Sequence, residues 1–374
     1  MSDYAAAAEA ILGELIAIPS VTGSEGLMRG YLERKFRELG FETEEQHVDG
    51  DRYNIIGRIG EGPVRLMLCT HQDVIPPLDE SKWRSPPFAP DVREGRIYGR
   101  GSTDAKGSLA AMMAALAGAT GVSGGSVAVA AVVEEETGKS VGARKLLERY
   151  APEMAVIGEP TGLRVAIAHK GALRPAITIH GLAAHASSPR RGINAIALAG
   201  KLVNALESYS YRISRIKDPL LGRPSSEVTV IQGGDRINVI PERCTVCIDR
   251  RLVSSETVEG AFEDLRRLVS RLAKKYRMKI DVDLLSAYPP SATDPSEAVV
   301  RLSRAALKET GLPAAPVGFP AGCDMWAFRA RGIPTVVLGP GSIGQAHVID
   351  EYLELDQLKM AVDVYGRLIR RALE

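Results

Sequence analysis

The sequence predicts an α/β protein whose sheet carries helices on both sides, interrupted by a smaller ferredoxin-like α+β domain. Two observations lead there. VRLMLCT (64–70), SVAVAAVV (126–133), MAVI (154–157) and TVVL (335–338) are continuous apolar runs, as expected of strands covered on both faces, and helical stretches such as SLAAMMAALAGA and SVGARKLLERY lie between them. From about Ala172 the pattern changes to RPAITIHG, a helix NAIALAGKLVNALESY, then EVTVIQGG, CTVCIDRRL, a helix TVEGAFEDLRRLVSRLAKKY, and KIDVDLL. Strand, helix, strand, strand, helix, strand is the ferredoxin-like order. The apolar pattern resumes after SAYPPSATDPSE (286–297), so residues 172–288 read as a domain inserted between 1–171 and 289–374.

The 374 residues are enough for two domains. The start, MSDYAAAAEAILGELI, lacks the basic region and cleavage pattern of a signal peptide. Apolar stretches such as LAAMMAALAGA (109–119) are too short to span a bilayer, so the expected location is the cytoplasm, away from membranes. Ser24 is expected to cap a helix, EGLMRGYLERKFREL, that ends at Gly40. The 47 basic and 46 acidic residues nearly cancel, leaving no overall field to attract nucleic acid. Four cysteines in so long a chain do not form a disulfide framework. Cys244-x-x-Cys247 has no second pair nearby and lies in the strand-like CTVCID, where free cysteine packs as a small apolar residue.

AVVEEETGKSVGAR (131–144) poses a choice between a phosphate cradle and a cluster of carboxylates for metal chemistry. Gly138-Lys139-Ser140 is how a phosphate-binding loop ends, but Val133 stands where that loop needs glycine, and Glu134, Glu135 and Glu136 would repel phosphate. The acids belong to a wider pattern. His71-Gln72-Asp73 follows the first apolar run, Glu134–Glu136 the second and Gly158-Glu159 the third, and His347 lies nine residues beyond Leu338 of the fourth. The loop YGRGSTDAKGS adds Asp104 before another helix. Ligands of open α/β sheets bind outside the carboxyl ends of the strands, so strands sharing one sheet would bring these groups to one crevice. Imidazole and carboxylate donors suit zinc, and two histidines with three carboxylates could serve two ions, one carboxylate bridging them. Neighbouring side chains of an extended segment point opposite ways, so Glu135 and Glu136 do not readily share an ion, and one is free to carry protons.

Together HQDVIPP, GRGSTDAKG, EEETG, GEPT, GLAAHASSPRRGINA, GGDRINVIPE, DRR and GPGSIGQAHVIDEY resemble the two-zinc amidohydrolases that include acetylornithine deacetylase, succinyl-diaminopimelate desuccinylase, aminoacylase and glutamate carboxypeptidase. The likeness runs from roughly Ile18 to Leu368. It implies a zinc-hydrolase catalytic domain with a mostly parallel central sheet and an inserted domain acting as lid and dimerisation module. It implies two zinc ions per subunit, with cobalt as a possible substitute: His71, Asp104 and Glu159 at one, and Asp104, Glu136 and His347 at the other. Asp73 would orient the His71 imidazole. Glu135 would be the general base and acid, although the family commonly has Asp-Glu-Glu where this chain has three glutamates, which keeps Glu134 in view. His185 would stabilise the oxyanion in the active site of the other subunit of a homodimer. Asn238 and Arg251 match positions that grip the substrate's carboxylate. His47, His169 and His180 match no ligand position and read as structural. The implied reaction is deacetylation of N-acetyl-ornithine or N-acetyl-lysine, or desuccinylation of N-succinyl-diaminopimelate. A dipeptidase or carboxypeptidase on the same metal site is the alternative.

Overall fold

The four apolar runs form the strands Val64–His71, Ser126–Val132, Met154–Ile157 and Thr335–Val337. In this computed structural model, which describes residues 2–119 and 124–374, they are neighbours in one sheet. Ser126–Val132 pairs with Val64–His71, that strand with Met154–Ile157, and the last with Thr335–Val337, every pair parallel. Antiparallel strands extend both edges: Arg52–Gly60 and then Glu42–Asp49 on one side, Ala166–His169 on the other.

Both faces of this sheet are covered, which is why its strands read as unbroken apolar runs. Leu66, Leu68, Val127 and Val129 pack with the helices Ser2–Ile16, Gly107–Ala117 and Leu355–Leu373. The alternate residues Met67, Cys69, Ala128 and Ala130 pack with the short helices Val141–Leu146 and Met325–Ala330. Gly107–Ala117 is apolar all round because residues Gly107 through Leu116 are all buried.

The cap expected at Ser24 is displaced. The helix runs Gly26–Glu38 from Glu25, whose side chain makes no capping bond to it. The Glu25 carboxylate instead accepts the amides of Gly23 and Glu134, and these bonds draw it away from the helix end.

The chain separates into two compact units, Met1–Ala168 with Ala292–Glu374, and His169–Ser291. In the second unit the strands Ser225–Gly233, Arg243–Leu252, Gly171–His180 and Lys279–Tyr288 lie side by side in that order, all neighbours antiparallel. Numbered in chain order this is two-three-one-four, which from the opposite edge is four-one-three-two, the ferredoxin-like arrangement. Its helices Ala195–Ile213 and Val258–Tyr276 are capped by Asn194 and Thr257 and pack Leu202, Leu206, Leu265 and Val269 on Ile177, Ile179, Val246 and Ile248. Cys244 and Cys247 fall in strand Arg243–Leu252, three residues apart and so on opposite faces, and both are free thiols. Among the described residues no helix is long and apolar enough to cross a membrane.

Candidate metal centre

Because the four central strands are parallel, their carboxyl ends share one edge of the sheet. His71 is the last residue of Val64–His71, Glu136 and Glu159 follow the ends of Ser126–Val132 and Met154–Ile157, and His347 lies in the loop after Thr335–Val337. Asp104 sits in the turn leading into helix Gly107–Ala117, and the Asp104–Ala105 peptide is cis.

These five side chains form two groups that share Asp104. His71, Asp104 and Glu159 make one, Asp104, Glu136 and His347 the other, and within each group the donor atoms lie within 4.8 Å of one another. His71 Nε2 is 3.2 Å from Asp104 Oδ1 and 3.8 Å from Glu159 Oε1. His347 Nε2 is 3.3 Å from Asp104 Oδ2 and 2.9 Å from Glu136 Oε2. Asp104 thus turns one oxygen to each imidazole. Among the described residues Glu159 Oε1 is buried with no hydrogen-bond partner, which is costly for a carboxylate oxygen unless a cation completes it. Nitrogen and oxygen donors at this spacing fit a pair of divalent ions of the zinc class.

The electrostatics are those of crowded, buried acids. Burial pushes the Glu136 carboxyl up to about 7, with Asp104 adding to it. Burial and then Glu159 push Glu135 well above the ordinary range, and burial also raises Glu159. Burial opposes ionisation of Asp104, yet His347 and His71 hold it below the carboxylate range. Hydrogen bonds to Asp104 and Glu136 raise the His347 ring to about 10.

Asp73 meets the His71 ring through its backbone rather than its side chain. The His71 Nδ1 atom meets the Asp73 backbone carbonyl at 2.8 Å, while the carboxylate stands 3.6 Å away. The Asp73 carboxylate instead accepts the amides of Glu135 and Glu136 at 3.1 and 3.2 Å. There it satisfies two backbone amides just past the strand end. Glu134 is turned out of the cluster: its φ is 57° and its carboxylate meets Arg52 at 2.8 Å.

Two further residues hold the centre and were not singled out in the sequence. Glu351 Oε1 accepts the amides of Thr103 and Asp104 at 2.9 and 3.0 Å, and Oε2 accepts the Gly101 amide and Arg100. Both lie inside motifs quoted above, but their pairing spans 251 residues and has no local signal. Lys106 is buried, donates to the carbonyls of Leu15 and Ile18, and is lowered by burial to about 7.

In the second unit His185 and Asn238 are brought together. The bridge Ala184–His185 pairs with Val239–Ile240, and Ala186 donates to the Asn238 carbonyl at 2.9 Å. His185 Nδ1 shares a hydrogen with Ser187 Oγ at 2.7 Å and the ring is exposed. Arg251 is held by Asp249, with Tyr288 Oη 3.3 Å from its other nitrogen. Of the remaining histidines, His47 meets the Gly50 carbonyl, His180 pairs with Asp281 at 2.7 Å, and His169 is buried beside the Lys170 carbonyl.

A sequence model of peptidase family M20/M25/M40 matches residues 67–371. The acetylornithine deacetylase of Proteus mirabilis (strain HI4320) is 31% identical over 375 residues, covering 95% of this chain and 94% of that enzyme. Among solved structures, a tripeptidase from Staphylococcus aureus superposes with a TM-score of 0.80 at 23% identity over 99% of both chains. A dinuclear metal-binding peptidase of the M20 family from Bacillus subtilis superposes with a TM-score of 0.71 at 18% identity, over 100% of this chain and 98% of that one.

Proposed function

This chain belongs to peptidase family M20/M25/M40 and is a metal-dependent amidohydrolase, and from that premise we propose that it deacylates an N-acyl amino acid. N-acetyl-ornithine and N-acetyl-lysine are the foremost substrates, with N-succinyl-diaminopimelate next. One observation carries the reading: two donor groups, one buried and one opening to solvent at His347, share Asp104, while Glu135, adjacent to the donor Glu136, belongs to neither. That leaves a carboxylate beside the centre free to move protons. The likeness to an acetylornithine deacetylase over 95% of the chain supports the choice of acyl amino acids.

In this reading His71, Asp104 and Glu159 hold one zinc ion, and Asp104, Glu136 and His347 hold the second, with cobalt able to replace either. When bound, the metal pair supplies Lewis-acid polarisation of the scissile carbonyl and an acidified water. Glu135 takes the proton of the attacking water and returns it to the leaving amine as the C–N bond breaks, releasing a carboxylate and the free amino acid. Asp73 holds the backbone of Glu135 and Glu136 in place. His185 donates to the developing oxyanion in the site of a second copy, and Asn238 and Arg251 bind the substrate's carboxylate. The first unit is then the catalytic domain and the second the lid and dimerisation domain. Exposed Val230 and Ile231 on the edge strand Ser225–Gly233, with fully exposed Ile237 beyond it, support pairing of two copies there.

The test is hydrolysis of a panel by zinc-loaded protein, with chelator-treated protein as control: N-acetyl-ornithine, N-acetyl-lysine, N-succinyl-diaminopimelate, N-acetyl-methionine and several dipeptides. Preference for an acetylated basic amino acid, abolished by chelator, supports the deacetylase reading. Preference for dipeptides makes the chain a peptidase on the same centre. Turnover of none of them by protein holding both ions overturns the substrate class.

A further inference from the structure

The turn that carries Glu135 and Glu136 is braced from two sides, by Asp73 after strand Val64–His71 and by Glu25 just before helix Gly26–Glu38. On one side is Asp73, which accepts the two turn amides and also the Thr22 hydroxyl at 2.9 Å. On the other side is Glu25. Its Oε1 accepts the Glu134 amide at 3.2 Å and its Oε2 the Gly23 amide at 2.6 Å. Arg52, from strand Arg52–Gly60, donates to Glu134 Oε2 at 2.8 Å, lies 3.5 Å from Glu25 Oε1, and pairs with Asp49. Side-chain exposure is 0% for Glu25, 13% for Arg52 and 12% for Glu134, so the pairs of Arg52 with Glu25 and Glu134 are shielded from water, while Asp49 stands open to it.

One guanidinium therefore serves three carboxylates. It draws the Glu134 side chain outward at a residue whose φ of 57° is uncommon outside glycine. With Glu134 fixed in that left-handed conformation, the next two amides face Asp73. The direction of Glu135 is thus set by residues 25, 52 and 134, none of which belongs to either donor group.

We propose that Glu25 and Arg52 are positioning residues for Glu135, acting through Glu134 to fix the turn that sets the proton carrier beside the metal centre. The inference rests on the reading of Glu135 as that carrier. A general base must lie within hydrogen-bond reach of the proton it takes, and a misplacement of about 1 Å can cost about 100-fold in rate. Losing the brace misaims Glu135 without removing a metal donor or a substrate contact, so the damage falls on kcat.

The experiment uses the zinc-loaded full chain and measures kcat, KM, bound zinc and thermal midpoint for Glu25→Ala, Glu25→Gln, Glu134→Ala, Glu134→Gln and Glu135→Gln. The alanine variants should lose about 10–100-fold in kcat per zinc-loaded enzyme while KM stays as in the parent; bound zinc is measured alongside because the same turn carries Glu136. Glu134→Gln keeps an acceptor oxygen for Arg52 and should recover kcat to within about threefold of the parent, whereas Glu25→Gln turns an NH2 group onto one of the two amides its carboxylate accepts and should recover less. Glu134 lies at the rim of the turn, so Glu134→Ala carries the test if Glu25→Ala fails to fold. Alanine variants with parental kcat, or with kcat lost only in proportion to zinc, would overturn the inference even where Glu135→Gln is inactive. A fully active Glu135→Gln would remove the proton-carrier reading and this inference with it.

Discussion

Arg100 donates to Glu351 Oε2 at 2.6 Å, and both side chains are 1% exposed. The same carboxylate accepts three backbone amides of the turn that bears Asp104, so one buried anion organises the main chain of the shared metal donor. Glu351→Ala would leave the Arg100 cation buried and unpaired, at a cost of about 3–5 kcal/mol. Zinc affinity should fall about 10–100-fold as the Asp104 turn loosens. Urea unfolding of the metal-free variant and competition with a chelator measure the two effects, and parental values in both would show that the pair does not hold the turn.

Glu135→Gln keeps the shape of the side chain and removes its basicity. It should retain both zinc ions while kcat drops about 100- to 10,000-fold. Elemental analysis beside steady-state kinetics checks this. A near-parental rate would take Glu135 out of the reaction.

Removing metal should destabilise the fold, because Asp104 and Glu159 are buried, the Glu136 side chain is only 7% exposed, and their charges then face one another. An ion at 100 times its dissociation constant adds about 2.7 kcal/mol per site to the folded state. The thermal midpoint should therefore drop on chelation and rise again with added zinc, in step with free ion concentration. An unchanged midpoint would argue against ion binding at these donors.

Burial holds the His169 ring down to about 4 from its ordinary 6.5. Above pH 6.5 the ring is neutral in both folded and unfolded chains, and its contribution to stability is intact. As pH falls from 6.5 towards 4 the unfolded chain takes up a proton that the fold refuses, and up to about 3 kcal/mol is lost. His169→Leu removes that titration. The gap in urea midpoint between parent and variant should shift in favour of the variant from pH 7 to pH 4.5, and a gap independent of pH would refute the assignment.

Lysine on an exposed edge strand blocks pairing with another strand. Ile231→Lys should therefore convert a dimer to a monomer in sedimentation, with kcat lost if His185 serves the second copy's site. A monomeric variant with parental kcat would refute that role for His185.

The central sheet was legible because strands buried on both faces leave unbroken apolar runs, as SVAVAAVV does. The donor groups were legible because each lies where such a run, or a glycine-rich loop, gives out. Strand Glu42–Asp49, ETEEQHVD, has no apolar pattern to read, since it is a polar edge strand held by its ladder to Arg52–Gly60. The supports of the centre were illegible for a different reason. Glu25 meets Glu134 across 109 residues and Arg100 meets Glu351 across 251, and no spacing rule reports such pairings. Ser24 looked like a helix cap because the sequence could not show that Glu25 is engaged elsewhere. Asp73 is a partner of His71, but two residues' separation gives no sign that the ring meets its carbonyl rather than its carboxylate.

Thr293 donates to the Ile167 carbonyl at 2.8 Å, so the chain leaves the first unit and returns to it at adjacent points. A cassette whose two stumps are hydrogen-bonded neighbours can be excised or grafted without rethreading the host sheet. Joining residue 168 to residue 292 by a short turn closes a much smaller loop and costs little in chain entropy. The excised host should refold with its parallel strands intact, which far-ultraviolet circular dichroism and cooperative melting would reveal. The same geometry makes the second unit a separable module that can be exchanged while the host sheet keeps its strand order.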